Sequence, residues 1–269
     1  MDGVFNIAVT EFTRDQGQVW QDGGAQVSGW VAAVLQKELA EETNFLVWRD
    51  GAELRQKNVT IGRVAGGDPK TRSAAARAIA ERINAQVVVF GDLDTSVTPP
   101  QLKLEFWIAP QAEYHFDDIG GGYQTEAPVP IADPARPGLE AQPEVERQSS
   151  TLAWTALGLA RMRFGQTGDA LTAFRHAETF APRLDSLQFF IGRESLFLSD
   201  REPERQEALL LDAETALKKA IEINPAYANA IKALGSTYTG QAQRLLARFQ
   251  EKSGGNSSGA DDPNLLQAA

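Results

Sequence analysis

Between residues 5 and 12, Phe5, Ile7 and Val9 alternate with smaller or polar neighbours, a period near two that predicts a strand. After a polar, Gly-rich stretch, Val27, Trp30, Val31, Val34, Leu35 and Leu39 recur at three- and four-residue steps. That stripe predicts an amphipathic helix over residues 25–42. Residues 45–48 predict a second strand, closed by the Asp50-Gly51 turn, and residues 59–64 are a further strand candidate. Gly66, Gly67, Asp68 and Pro69 break the chain before a second helix at residues 70–84, whose inner stripe is Ala75, Ala78, Ile79, Arg82 and Ile83. The β-branched run 87–90 predicts a buried central strand, and the alternating run 102–108 pairs beside it across Pro99-Pro100. The order β-α-β-(β)-α-β-β predicts an α/β (α+β) domain with two helices covering one face of a sheet.

Periodicity lapses from residue 117 to 150. Gly120, Gly121 and Gly122, then Pro128, Pro130, Pro134, Pro137 and Pro143, punctuate this stretch, which predicts a semi-extended linker. Beyond residue 150 strand signals vanish and Ala, Leu, Glu, Gln and Arg dominate, as in an all-α region. Within it a pattern recurs. Trp154, Leu157 and Gly158 lie on one helix, Ala170, Phe174 and Ala177 on the next, and Pro182 closes the unit. Small residues let the two helices approach, large ones fill the space between them, and the Pro ends the second helix. The second unit carries Ile191 and Gly192, then Ala213, Leu217, Ala220 and Pro225. Gly192 and Ala213 are 21 positions apart, against 12 for Gly158 and Ala170, so this unit holds an insertion of nine residues, expected in the polar run 199–206. A third unit begins with Ile231, Leu234, Gly235 and Tyr238, and its second helix is expected at 242–251.

In these spacings residues 151–251 resemble tetratricopeptide (TPR) repeats, about three in number. Residues 5–110 resemble, less specifically, the amino-terminal domain of TolB and its bacterial relatives. The matching pieces are residues 5–12, the helix at 27–41, and residues 74–80 leading into the apolar run that ends at Gly91. The segment between residues 49 and 70 departs from that pattern. Four regions are expected: an α/β domain at 1–116, a linker at 117–150, repeats at 151–252 and a flexible tail at 253–269. The TPR resemblance implies a concave groove lined by the first helix of each hairpin, with Thr155, Arg161, Gln188, Arg193, Asn229 and Lys232 facing it. Their partly basic character suits an acidic peptide or a terminal carboxylate.

Charge and composition narrow the function. Net charge is −10, and residues 1–150 carry 22 Asp and Glu against 13 Lys and Arg. So acidic a first half argues against nucleic acid and anionic lipid, which need clustered cations. With no Cys and two His, thiolate sites and disulfides are excluded, and no metal or other cofactor is expected. Neither a membrane-spanning run nor a signal peptide is expected; the cytoplasm suits the segment as given, and an extracytoplasmic place suits a fragment of a longer protein. Continuation past Ala269, and self-association through an uncovered apolar face, are expected too.

Candidate chemistry reads as structural. Asp117-Asp118 before the Gly triplet lacks the helix and Lys of a phosphate cradle, and Gly66 to Thr71 reads as a capped helix start. Asp92 and Asp94 point the same way on a strand, without a third carboxylate or His to complete a site. His176 reads as solvent-side, and His115 as part of a last strand or ordered linker. Most aromatic residues between 154 and 197 read as core, with one of Phe189 and Phe190 exposed as a contact. The expected function is a non-enzymatic protein-interaction scaffold. The alternative is a ligand-sensing or regulatory domain of a larger bacterial signalling protein, with a pocket near Asp92.

Overall fold

The computed structural model describes residues 5–21, 23–51, 54, 59–110 and 119–254, without the side chains of 251–254. The expectations for His115, Asp117, Asp118 and the tail from residue 255 onward fall outside the described residues. An amino-terminal mixed sheet is followed by helices. β1 (Phe5–Val9), β4 (Phe45–Arg49) and β5 (Val87–Asp94) run parallel, with β1 between the other two. β6 (Gln101–Ile108) pairs antiparallel with β5, and β7 (Gly121–Gln124) and β8 (Val129–Pro130) both pair with the outer side of β6. A short hairpin, β2 (Thr13–Arg14) and β3 (Gln18–Val19), extends the β1 side of β5.

The two sheet helices cover opposite faces, which corrects the expected one-sided layer. α1 (Gly23–Glu38) packs Val27, Val31 and Leu35 into the cluster that holds Phe5, Ile7, Val9, Val87 and Val89. α2 (Pro69–Ile83) packs Ala76, Ile79 and Ala80 with Ala8, Val88, Phe90 and Trp107. Alternation along β1 and β5 therefore serves two cores, because side chains at successive positions leave opposite faces. Asp68 caps α2 by accepting from the N–H groups of Lys70 and Thr71, as the sequence implied.

Residues 59–64 form no strand, a second correction. Ile61 and Val64 are buried, yet the backbone there is held by the Asp50 carboxylate, which accepts from the N–H groups of Ile61 and Gly62. The expected linker is also partly structured: β7 and β8 lie in it, and Val129 and Ile131 are fully buried. The first helix of the second half starts inside it as well.

Five helices follow among the described residues: α3 (Gln142–Arg163), α4 (Thr167–Phe180), α5 (Asp185–Ser199), α6 (Gln206–Ile223) and α7 (Ala228–Gly254). Consecutive helices pack on one another. Gly158 permits the α3–α4 approach: a Cβ there would lie 2.3 Å from the Phe174 ring. Gly192 does the same for α5 and α6, where a Cβ would meet Leu217 at 2.5 Å. The third hairpin is absent. Residues 228–254 form one helix with no turn near 240, and a Cβ added at Gly235 would meet nothing within 4 Å.

The halves share one core. α1 packs along α3, and the apolar cluster runs without a break from Ile7, Val89 and Phe106 to Leu152, Ala156, Phe189 and Phe190. Polar links follow the same seam. Glu38 accepts from Trp154 Nε1 at 3.1 Å, both carboxylate oxygens of Glu42 accept from Arg161 Nη2 at 2.7 and 2.8 Å, and Gln148 binds Thr125 and the Ala127 carbonyl. Among the described residues no helix is long and apolar enough to cross a membrane.

Candidate functional site

The six expected groove residues do not share an open surface. Thr155, Gln188 and Arg193 are 2%, 1% and 4% exposed. Arg161 is committed to Glu42, Asn229 is half-buried, and Lys232 alone of the six is fully exposed. Packing on two fronts is the cause: α1 lies along α3, and within the helical half Gln188 donates to Glu178 and to the Pro182 carbonyl. Arg193 pairs with Glu194 at 2.6 Å inside the protein, its guanidinium over the Phe197 ring. Phe189 and Phe190 are both fully buried, against the expectation of one exposed contact. Phe190 lies between Phe174 and Tyr123 of β7, and Phe189 faces Tyr227, so α5 is covered on two sides.

Other expected positions find structural work. Ala170, Ala177, Ala213, Ala220 and Leu217 are buried, as their small or apolar character requires. Pro182 and Pro225 lie just past the ends of α4 and α6. Trp154 lies tilted against the exposed His176 ring, with ring centres 3.9 Å apart. Leu234 packs against the core, and Tyr238 is half-exposed beside Lys218. Asp92 closes the Thr13–Gln18 loop: its carboxylate accepts from Thr13 Oγ1 and from the N–H groups of Gln16 and Gly17. Asp94 binds Ser96, whose hydroxyl and N–H hold the carboxyl below its ordinary value. Neither aspartate converges on a third acid, and among the described residues no group of three His, Asp or Glu is placed to hold a metal.

The cleft left open lies where the two halves meet. It has a volume of about 770 Å³ and three walls. Gly122 to Ala127, from β7 and the loop after it, form one. Arg183 to Asp185, between α4 and α5, form the second, and Ile223, Asn224 and Tyr227, around the α6–α7 turn, form the third. Both helix-to-helix turns are thus brought beside the edge of the sheet. Their positions follow from the two Pro residues, which end α4 and α6 at the same end of the bundle.

Charge in the cleft is unevenly engaged. Glu126 pairs with Arg147 at 3.0 Å and accepts from the Arg183 N–H at 2.9 Å. Asp185 accepts from Asn224 Nδ2 and the Ser186 N–H, each at 2.7 Å. The Arg183 guanidinium is exposed and makes no hydrogen bond or ion pair with the described residues. Fixed donors hold both carboxylates, Glu126 in an ion pair and Asp185 by neutral hydrogen bonds, and the Arg183 cation stands beside them without such a partner among the described residues. Sequence reasoning missed this site because Arg183 follows the repeat-closing Pro182 and carries no motif of its own. No family model, curated protein or solved structure matches the chain.

Proposed function

We propose that the chain is a non-enzymatic protein-interaction module that takes a peptide segment of a partner protein in the cleft between sheet and helices. In particular, its second half is read as a shortened TPR array and its first half as a TolB amino-terminal-like domain. The Gly158–Phe174 and Gly192–Leu217 approaches support the repeat reading, since each repeat spacing sets a small residue against a large one across a hairpin. The observation that carries the function is the cleft itself: a peptide-sized opening whose carboxylates are engaged and whose arginine is free. Binding moves from the groove that the repeat pattern implied to this cleft, because most of the expected groove residues are buried or ion-paired.

The test is selection of random peptides displayed on phage against the full chain, followed by calorimetry of the enriched peptides. Expected are micromolar binders, on the order of −8 kcal/mol, that weaken by about tenfold or more in Arg183→Glu. Absence of enrichment, or binders indifferent to both Arg183→Glu and Ile223→Arg, would sink the proposal.

A further inference from the structure

The Gly120-Gly121-Gly122 run, expected as the start of a linker, builds the outer edge of the sheet. β7 pairs with β6 so that Tyr123 lies opposite Phe106 and Gln124 opposite Glu105. The Thr125 N–H donates to the Leu104 carbonyl at 3.1 Å, which fixes the alternation. Tyr123 and Thr125 direct their main-chain groups inward to β6, and Gly122 and Gln124 direct theirs outward. The far side of β6 agrees. The Ala109 N–H donates to the Gln86 carbonyl, so Trp107 and Glu105 bond to β5 and leave nothing for β7. No strand among the described residues pairs with the outer side of β7, and both Gly122 and Gln124 are exposed.

The cleft runs along this edge. We infer that the partner segment binds as an added β-strand on β7, with a carboxylate of the segment on Arg183. The inference rests on the cleft reading and supplies its mode. An added strand would meet four outward main-chain groups, the N–H and C=O of Gly122 and of Gln124. Its side chains would alternate between two sides. On one side is the helical wall. Tyr123 points that way, stacked on Phe106 and edge-on to Phe190, and Leu184, Ile223 and Tyr227 continue the wall. On the other side is α2: a Cβ on Gly122 would meet Ser73 Oγ at 2.9 Å, and Gln124 reaches Glu105, which is paired with Arg72. The partner is therefore an extended segment with β-branched or aromatic residues at alternate positions facing Ile223 and Tyr227. An Asp, Glu or terminal carboxylate lies at the Arg183 end.

Proline separates a main-chain role from a side-chain one. Gln124→Pro removes an outward N–H that the fold does not use, and edge strands accept Pro at such positions. Gln124→Ala keeps that N–H. With peptides enriched from the phage library, Gln124→Ala is expected to bind within about twofold of the parent chain and Gln124→Pro about tenfold or more weaker, at unchanged thermal midpoint. In the parent chain, bound peptide should slow hydrogen exchange at the Gly122 and Gln124 amides and leave Tyr123 and Thr125 unchanged. Should Gln124→Pro destabilise the fold, single N-methylation along the peptide decides instead: strand addition predicts loss at every second amide. Peptides that bind through Arg183 with no alternation, and with unchanged exchange at Gly122 and Gln124, overturn strand addition and leave the cleft reading intact. Failure to enrich any peptide overturns both.

Discussion

Single residues changed meaning most when their surroundings were known. Arg193 and Lys232 look alike in the sequence, yet Arg193 is 4% exposed and ion-paired, and Lys232 is in water. Removing one partner of a buried pair leaves an uncompensated charge, at a cost of about 3–5 kcal/mol. Arg193→Ala should therefore lower stability by roughly that much in urea titration, and Lys232→Ala by less than about 0.5 kcal/mol. Equal effects would contradict the burial of Arg193. Glu178 is the second case. Burial pushes its pKa up, but hydrogen bonds from Gln188, Lys219 and Arg175, with the Arg175 charge, bring it from 4.5 down to about 2. A carboxylate depressed in the folded state stabilises above its unfolded pKa, and that stability is lost as pH falls through the folded value. Glu178→Gln should be less stable than the parent at pH 7 by roughly 1–2 kcal/mol after allowance for partial exposure. The difference should shrink as pH drops from about 4.5 to about 2. A gap that stays constant across that window would show that Glu178 acts by packing.

Elements were read well where local periodicity decides them and poorly where a neighbour decides. The sequence pattern places the nine extra residues between Gly192 and Ala213 in one polar loop. Compared with the first hairpin, two of them lengthen α5, three lengthen the turn and four lengthen the start of α6. The longer α6 offers Glu207 and Leu210 to the far part of α7, where Arg248 pairs with Glu207. That lateral support accompanies a single helix where a third hairpin was expected, in a segment without Pro and with good helix formers. The repeat glycines then separate by context. Gly158→Ala forces a Cβ into the Phe174 ring and should cost about 1–3 kcal/mol. Gly235→Ala, on an exposed stretch with open space, should gain up to about 1 kcal/mol from helix propensity. Thermal unfolding of the two variants checks both, and a destabilised Gly235→Ala would mean that a helix does pack there.

At the scale of the molecule, two apparent modules share one core. Ile7, Val89, Phe189 and Phe190 belong to a single apolar cluster that spans both halves. A single cooperative transition is expected. Far-UV circular dichroism reports mainly α3 to α7, and four of the five Trp residues, at positions 20, 30, 48 and 107, report the sheet half. The two signals should coincide in denaturant; separate midpoints would show independent domains. Residues 142–254 expressed alone should lose the cover that α1 gives α3 and Tyr123 gives Phe190, and aggregate or lose fixed packing.

Local order is what the sequence determined by itself. Strand and helix periods, the Asp68 cap, the Gly and Pro punctuation, and the small-against-large spacing of Gly158 and Phe174 all act over a few residues or one hairpin, so they are written in adjacent positions. Which faces meet was decided by tertiary structure alone. The opposite placement of α1 and α2, the closing of the expected groove and the opening of a cleft at Arg183 depend on contacts between segments far apart in the sequence. Trp154 reaching Glu38 and Arg161 reaching Glu42 are such contacts. Burial of apolar area is non-directional, so an apolar stripe specifies that it will be covered and leaves the covering surface to the fold.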